Sequence, residues 1–394
     1  MTPRQPFPDL VRACALFGIA VVNVDYFAHA TPGGVMAAAW STPMDRVLWW
    51  TIAALFAMKS YPLFAMMFGA GVGQQMRSSA TDGVGFTGRH LRRMTGLLTL
   101  GFFNAALLFN GDVLMFYAVF GALLFLFRNA SPKTLWRWAV VSFVLQIGVM
   151  LVGILFMWDL TAATDGTELR ELLTEGAQDT ARLTAGFASP DPLVVTATRF
   201  GDWAEMFLPT MMFAGPGIFA FILYGLYAFR LGIFDDPAAP RWSRARRVYL
   251  PLGLLIAGIG AVLILRARHE ADPWFQIGYT LLFVGSPLSA MGYLGLIAAW
   301  SQRPPSPLRD FLVRAGGGSL TAYLLQGLLM SLVFSGYGLG LVGKLGAATY
   351  IPIGAAAAVI SLLFVGWWRG RHALGPVESL LRRWVYLGER RGGN

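Results

Sequence analysis

The chain has 394 residues, 56% of them hydrophobic and only 13% charged, about half the charged share of a soluble domain. This excludes a soluble enzyme and reads as a polytopic membrane protein. The net charge of +10 is spread over short loops without a nucleic-acid-binding motif, so no nucleic-acid partner is expected.

The first apolar segment, beginning Asp9-Leu-Val-Arg12 and reaching Asn23, is an unusual membrane span. At ~100° per residue, Arg12 and Asn23 fall within ~20° of each other and Asp9 lies ~60° further round. One stripe of this helix is therefore polar, and ionisable groups at that depth are costly unless they face a bundle interior or a wet cavity. Asp25 and His29, one turn apart at its far end, are spaced for a carboxylate to orient an imidazole. Cys14, the single cysteine, has no disulfide partner, and no metal-ligand spacing exists, so no metal is expected.

Hydropathy and helix breakers give about ten spans, near 10–30, 46–75, 91–109, 111–128, 136–158, 203–230, 248–266, 274–300, 318–335 and 348–368. In the second, Lys59 lies ~20 Å deep beside Pro62, which is expected to kink the helix. Such a lysine reads as an ion pair with Asp112 or Asp25, or as a cation for an electrophilic or phosphate-binding site. Asn110-Gly111-Asp112 joins the third and fourth spans in a tight hairpin, and Asn104 is placed to face the same cavity as Asp112. An acidic loop at about 159–202 has helical potential over 165–185. It reads as a solvated loop or a lid on the outer face. Arg199, Asp202 and Glu205 stand where the sixth span opens, either as the mouth of a cavity or as interface charges. Gly215-Pro216-Gly217 is expected to break that span and to free backbone carbonyls. Ser319, Tyr323 and Gln326 share a face of the ninth span after Gly316-Gly317-Gly318, either for interhelical hydrogen bonds or to line a substrate path.

Basic residues test the count. Arg4 and Arg12, Arg77 to Arg93, Arg128 to Arg137, Arg230 to Arg247, Arg303 to Arg314, and the six arginines from Arg369 onward all fall on one side. That asymmetry fits ten spans with both termini cytoplasmic. Residues 1–368 then form one transmembrane bundle and 369–394 a cytoplasmic segment. In the latter, Pro376 opens an amphipathic interfacial helix whose positive end suits Glu378. No second copy of the opening motif or of the hairpin marks an inverted repeat, which disfavours a transporter. No nucleophile elbow, phosphate loop or dinucleotide fingerprint is present.

These residues resemble a family. Asp9-x-x-Arg12 with Gly18-Ile and Asn23 is similar to the opening of YeiB-like bacterial membrane proteins. So are Lys59-Ser-Tyr-Pro-Leu-Phe with Gly69-Ala-Gly71, Gly111-Asp112-Val-Leu with Tyr117-Ala, and Leu223-Tyr-Gly225 with Arg230-Leu-Gly232. Ser319-Leu-Thr-Ala-Tyr323-Leu-Leu-Gln326, Gly336-Tyr-Gly338-Leu-Gly340 and Gly375-Pro-Val-Glu378 complete the ordered set. That family is similar to a wider transmembrane acyltransferase group that includes heparan-α-glucosaminide N-acetyltransferase. The resemblance implies a bacterial cytoplasmic-membrane acyltransferase with acyl-CoA as co-substrate and a sugar, lipid or small-molecule acceptor. Arg12, Asn23, Asp9, Tyr323 and Gln326 would then contact the donor, and His29, Asp112 and Lys59 would be the catalytic candidates. Two departures stand out. The related O-acyltransferases carry histidine at the position of Asn23, and YeiB-like relatives often carry one at Asn104. A transporter or flippase, and a non-catalytic membrane partner, are the alternatives. A homodimer is left open.

Overall fold

The computed structural model describes residues 6–30, 42–81, 85–162 and 166–387. Arg4, Asp165, Arg390, Arg391 and the end of the expected terminal segment, 388–394, lie outside the described residues. In chain order the helices are α1 (Pro6–Ala28), α2 (Pro43–Leu55), α3 (Ser60–Thr81), α4 (Phe86–Leu107) and α5 (Leu114–Leu124). They continue with α6 (Pro132–Ala162), α7 (Thr167–Phe187), α8 (Pro192–Arg230), α9 (Pro240–Arg244) and α10 (Leu250–Arg266). The last five are α11 (Pro273–Ser301), α12 (Pro307–Gly316), α13 (Ser319–Phe334), α14 (Ala347–Arg369) and α15 (Pro376–Val385). Proline opens many of them, where its missing N–H costs nothing. Thr42, Asp191, Asp272 and Ser306 cap α2, α8, α11 and α12 with their side-chain oxygens.

Each of the ten expected spans is helical, and the protein is a polytopic helical membrane bundle. Seven helical runs among the described residues are long and apolar enough to cross a membrane, and the pair α12–α13, bent by 85°, makes up to eight. The exceptions are the α4–α5 pair. α4 begins with Arg89, His90, Arg92 and Arg93, and α5 has 11 residues. Arg12 near one end of the chain and Glu378 near the other line a single cavity, so both described ends sit at the same, arginine-rich face. At the opposite face α7 lies beside the start of α8, with Gly336 N–H donating to Phe187 O at 2.8 Å.

α1 runs through the centre, with Leu10, Val11, Leu16 and Val24 fully buried. α6 sits outside, with Val144, Leu145, Leu155 and Phe156 exposed toward the lipid. α3 and α8 approach backbone to backbone. A Cβ on Gly69 would lie 2.0 Å from Ile222 O and one on Gly225 2.1 Å from Met66 O, so no side chain fits at either crossing.

Two breaks differ from expectation in an informative way. The second span breaks at Phe56–Lys59, before Pro62, with Met58 in the left-handed region at φ 59°. Pro62 sits in the first turn of α3, where it is tolerated. Lys59, fully buried, donates from Nζ to Ala53 O at 2.8 Å and Ala57 O at 2.7 Å. Its ammonium satisfies carbonyls freed at the break, so the expected ion pair with Asp112 or Asp25 does not form. The sixth span is one 39-residue helix in spite of Pro209 and Pro216. Its ladder is repaired from α6, where Gln146 donates its amide to Phe213 O and accepts from Gly217 N–H at 3.1 Å. A side-chain amide is thus spliced between Phe213 O and Gly217 N–H, beside the ladder bond that Pro216 cannot make.

Gln146→Leu removes both bonds without changing the volume greatly. Unpaired backbone groups at this depth cost about 1–3 kcal/mol, so purified Gln146→Leu protein is expected to melt several degrees below wild type in detergent. An unchanged melting temperature would show that the splice carries no stability.

Candidate functional site

The hairpin between α4 and α5 creates the site. α4 ends as Leu108 N–H and Phe109 N–H converge on Asn104 O at 2.8 and 2.7 Å. After Asn110-Gly111, Asp112 turns its carboxylate onto both helices. Oδ1 accepts from Asn104 Nδ2 at 2.8 Å and Oδ2 from Met115 N–H at 2.9 Å, which caps α5 at its positive end. Tyr323 of α13 closes the group. Its hydroxyl accepts from Val113 N–H at 3.3 Å and lies beside Asp112 and Asn104. All three side chains are at most 5% exposed.

Because α5 rises only ~16 Å against a bilayer core of ~30 Å, the hairpin tip stops short of the far face. A cavity of about 220 Å³ lies there, lined by Asn23, Tyr61, Asn110, Asp112, Tyr117 and Asp202 among others. Asp202 accepts from Asn110 Nδ2, so it belongs to the cavity, whereas Glu205 is exposed and pairs with Arg182 at 3.4 Å. Arg199 does neither. It is buried, donating to Leu107 O at 2.6 Å and to the hydroxyls of Ser331 and Ser335 at 3.0 Å each, a staple between α4, α8 and α13.

A second cavity, about 210 Å³, opens toward the arginine-rich face. Arg12, Arg93, Tyr117, Ser319, Tyr323 and Glu378 are among its walls. Tyr117 lines both cavities, and with Tyr323 and Asp112 it forms the partition between them. Arg12 is held by Asp9 at 2.7 Å, which leaves Asp9 as an orienting partner. Arg93 reaches Gln75 Oε1 at 3.3 Å.

The sequence candidates thus separate. Arg12 and Tyr323 meet at the arginine-rich cavity, while Asn23 and Asp112 meet at the other. Gln326 donates to Leu16 O at 3.3 Å and Ser361 Oγ at 3.2 Å, tying α13 to α1 and α14, and reaches only a small void of about 10 Å³ that Asn23 and Asn104 share. Lys59 is engaged with carbonyls and lines neither large cavity. His29 is 3.9 Å from Asp25 Oδ1, edge-on to Tyr350 at 5.1 Å, and also outside both, because α1 carries it past the cavity toward α14. Arg93 was passed over as a loop arginine, although it lies inside the expected third span. Tyr117 stood only within the Tyr117-Ala motif of the resemblance and was given no role there.

α15 closes the arginine-rich cavity. Glu378 accepts from Leu320 N–H at 2.7 Å, Thr321 N–H at 3.2 Å and Thr321 Oγ1 at 2.6 Å. It therefore caps α13, whose N-cap is Gly318, rather than its own helix as the sequence suggested. Trp384 Nε1 donates to Thr95 Oγ1 at 3.2 Å, and the exposed Leu380 and Leu387 face the interface.

With this geometry in view, residues 228–388 match the family model described as "Protein of unknown function (DUF418)". The chain is 27% identical to the uncharacterized protein YxaH of Bacillus subtilis, over 96% of its own length and 93% of that protein. It is 26% identical to the uncharacterized protein YeiB of Escherichia coli, over 95% and 94%. The chain is thus similar to the YeiB-like proteins over nearly its whole length. No solved structure matches it. The matched region runs from the end of α8 through α15, so it includes Tyr323 and the Glu378 cap.

Glu378→Ala uncaps α13 and releases α15. Loss of a charged cap costs about 1–3 kcal/mol, so the variant is expected to melt lower and to be cut faster after residue 375 in limited proteolysis. Unchanged cleavage would show that α15 is held without Glu378.

Proposed function

We propose that this protein is an acyltransferase of the bacterial cytoplasmic membrane, passing an acyl group from cytoplasmic acyl-CoA to a hydroxyl or amine acceptor that enters from the other face. The observation that supports this reading is the pair of cavities on either side of Tyr117. The one lined by Arg12 and Arg93 suits the phosphates of CoA, since guanidinium groups bind phosphate oxygens in a fixed fork. The one lined by Asn23, Asn110, Asp112 and Asp202 suits a polar acceptor.

Asp112 and Tyr323 of the partition each have a role in that chemistry. Asp112 is held through both oxygens by N–H donors, which fixes it in place, and it accepts the proton of the acceptor hydroxyl or amine. The acceptor oxygen or nitrogen bonds to the thioester carbon, the C–S bond breaks, and the thiolate leaves as CoA after taking up a proton. Tyr323, whose hydroxyl accepts from Val113 N–H and lies beside Asp112, steadies that carboxylate, and the Asn23 amide supplies a donor to the oxyanion that forms. Lys59 takes no part, because its ammonium is bonded to Ala53 O and Ala57 O.

Two cavities meeting at a thin partition also suit a transporter in which Tyr117 moves aside. Binding and turnover separate the readings. Calorimetry on the purified chain is expected to show CoA binding, at least tenfold weaker in Arg12→Ala and Arg93→Ala. Asp112→Asn is expected to keep CoA binding and lose acyl transfer by at least a hundredfold. Folded protein that binds no CoA contradicts the reading, and uptake of an unmodified solute into liposomes favours the transporter.

A further inference from the structure

A third chamber, of about 60 Å³, branches from the larger cavity. Val22, Tyr26, Met58 and Tyr279 line both, and Asp25, Trp49, Tyr350, Val21 and Ile52 belong to the walls of the branch alone. Asp25 is 9% exposed, and neither of its carboxylate oxygens has a hydrogen-bond partner among the described residues. The Tyr350 hydroxyl lies near it without a bond of ordinary geometry. His29 Nε2, at 3.9 Å, is beyond hydrogen-bond reach. Lys59, Asn104, Asp112, Gln146, Arg199 and Gln326, by contrast, each have a backbone or side-chain partner. A carboxylate buried without one is costly unless something else meets it.

We propose that this chamber binds a small organic ammonium ion, its charge on Asp25 and its carbons against the aromatic walls. The wall chemistry selects the ligand. A hard metal cation wants six or more oxygen ligands, and here one carboxylate and tyrosine hydroxyls stand among Val21, Val22, Ile52 and the rings of Trp49, Tyr26, Tyr279 and Tyr350. Aromatic faces beside a carboxylate bind alkylated and primary ammonium groups well, through ring quadrupole and ion pair together. At ~10–15 Å³ for each water-sized group, the chamber takes roughly four to six heavy atoms, the size of an ethylammonium or choline head. Lys59 does not compete for Asp25, since its ammonium is bonded to Ala53 O and Ala57 O. The shared walls place such a head beside the larger cavity, where the rest of an ammonium-bearing molecule would extend. The site stands whether or not that cavity supports acyl transfer.

The test is calorimetry of the purified full-length chain with choline chloride and with ethylammonium chloride, at constant ionic strength. The two are expected to bind saturably and to displace one another, with equal sodium chloride failing to displace either. Asp25→Asn, which keeps the volume and removes the charge, is expected to weaken both at least tenfold. Ala57→Leu, which fills the chamber and keeps Asp25, acts in the same direction and carries the test if Asp25→Asn does not fold. Glu205→Gln, on the exposed surface, is expected to bind as wild type does. Folded wild type that binds neither ion overturns the proposal. So does unchanged affinity in Asp25→Asn or Ala57→Leu, and so does displacement by equal sodium.

Discussion

The carboxylate of Asp112 is the constraint on which the architecture turns. A hairpin that reverses inside a membrane leaves the last carbonyls of one helix and the first N–H groups of the next without partners, and lipid supplies none. Asp112 meets the second need by accepting from Met115 N–H at the start of α5, and it ties that helix to α4 by accepting from the Asn104 side-chain amide. The turn can then sit at depth, α5 can stop at 11 residues, and the space beyond its tip becomes the larger cavity. The same carboxylate faces that cavity. The residue that makes the hairpin tolerable in the membrane is therefore also the one best placed to handle a proton.

The remaining buried polar groups fall into two classes. Lys59, Gln146, Arg199 and Glu378 each satisfy backbone at a helix break or end: the α2 terminus, the Pro216 gap in α8, Leu107 O at the close of α4, and the start of α13. Their charge or amide is consumed by the fold. Arg12, Arg93, Asn23 and Asp25 line cavities, and Asp112 does both. Depth in the membrane alone does not separate the two classes, because Lys59 is as buried as any residue in the chain. What separates them is whether a nearby break in the helix ladder demands a partner.

That distinction explains how far the sequence could be read. Helix positions were legible because apolar length and the bounding prolines act locally, and the Asn110-Gly111-Asp112 hairpin was legible because turn chemistry is local too. The polar stripe of α1 does face cavities, as its ~20° register between Arg12 and Asn23 implied. Pairing across helices was not legible. Nothing in the neighbourhood of Gln146 says that Pro216 lies opposite, and nothing in Gly375-Pro-Val-Glu378 says that Gly318 leaves α13 without a cap. Pro62 misled because a proline marks a kink or a helix start equally well, and the chain chose the start. His29 misled because adjacency to Asp25 along α1 does not say which cavity the end of that helix approaches.

The central claim is that the two cavities serve two sides of one membrane and meet at the Tyr117–Asp112 partition. The most direct measurement uses the purified chain in oriented proteoliposomes, with labelled acetyl-CoA confined to the compartment facing Arg12 and Arg93 and an impermeant amine or hydroxyl acceptor in the other. The account predicts label on the acceptor only in this arrangement, and none when donor and acceptor compartments are exchanged. Transfer that requires both molecules on the same side would contradict it.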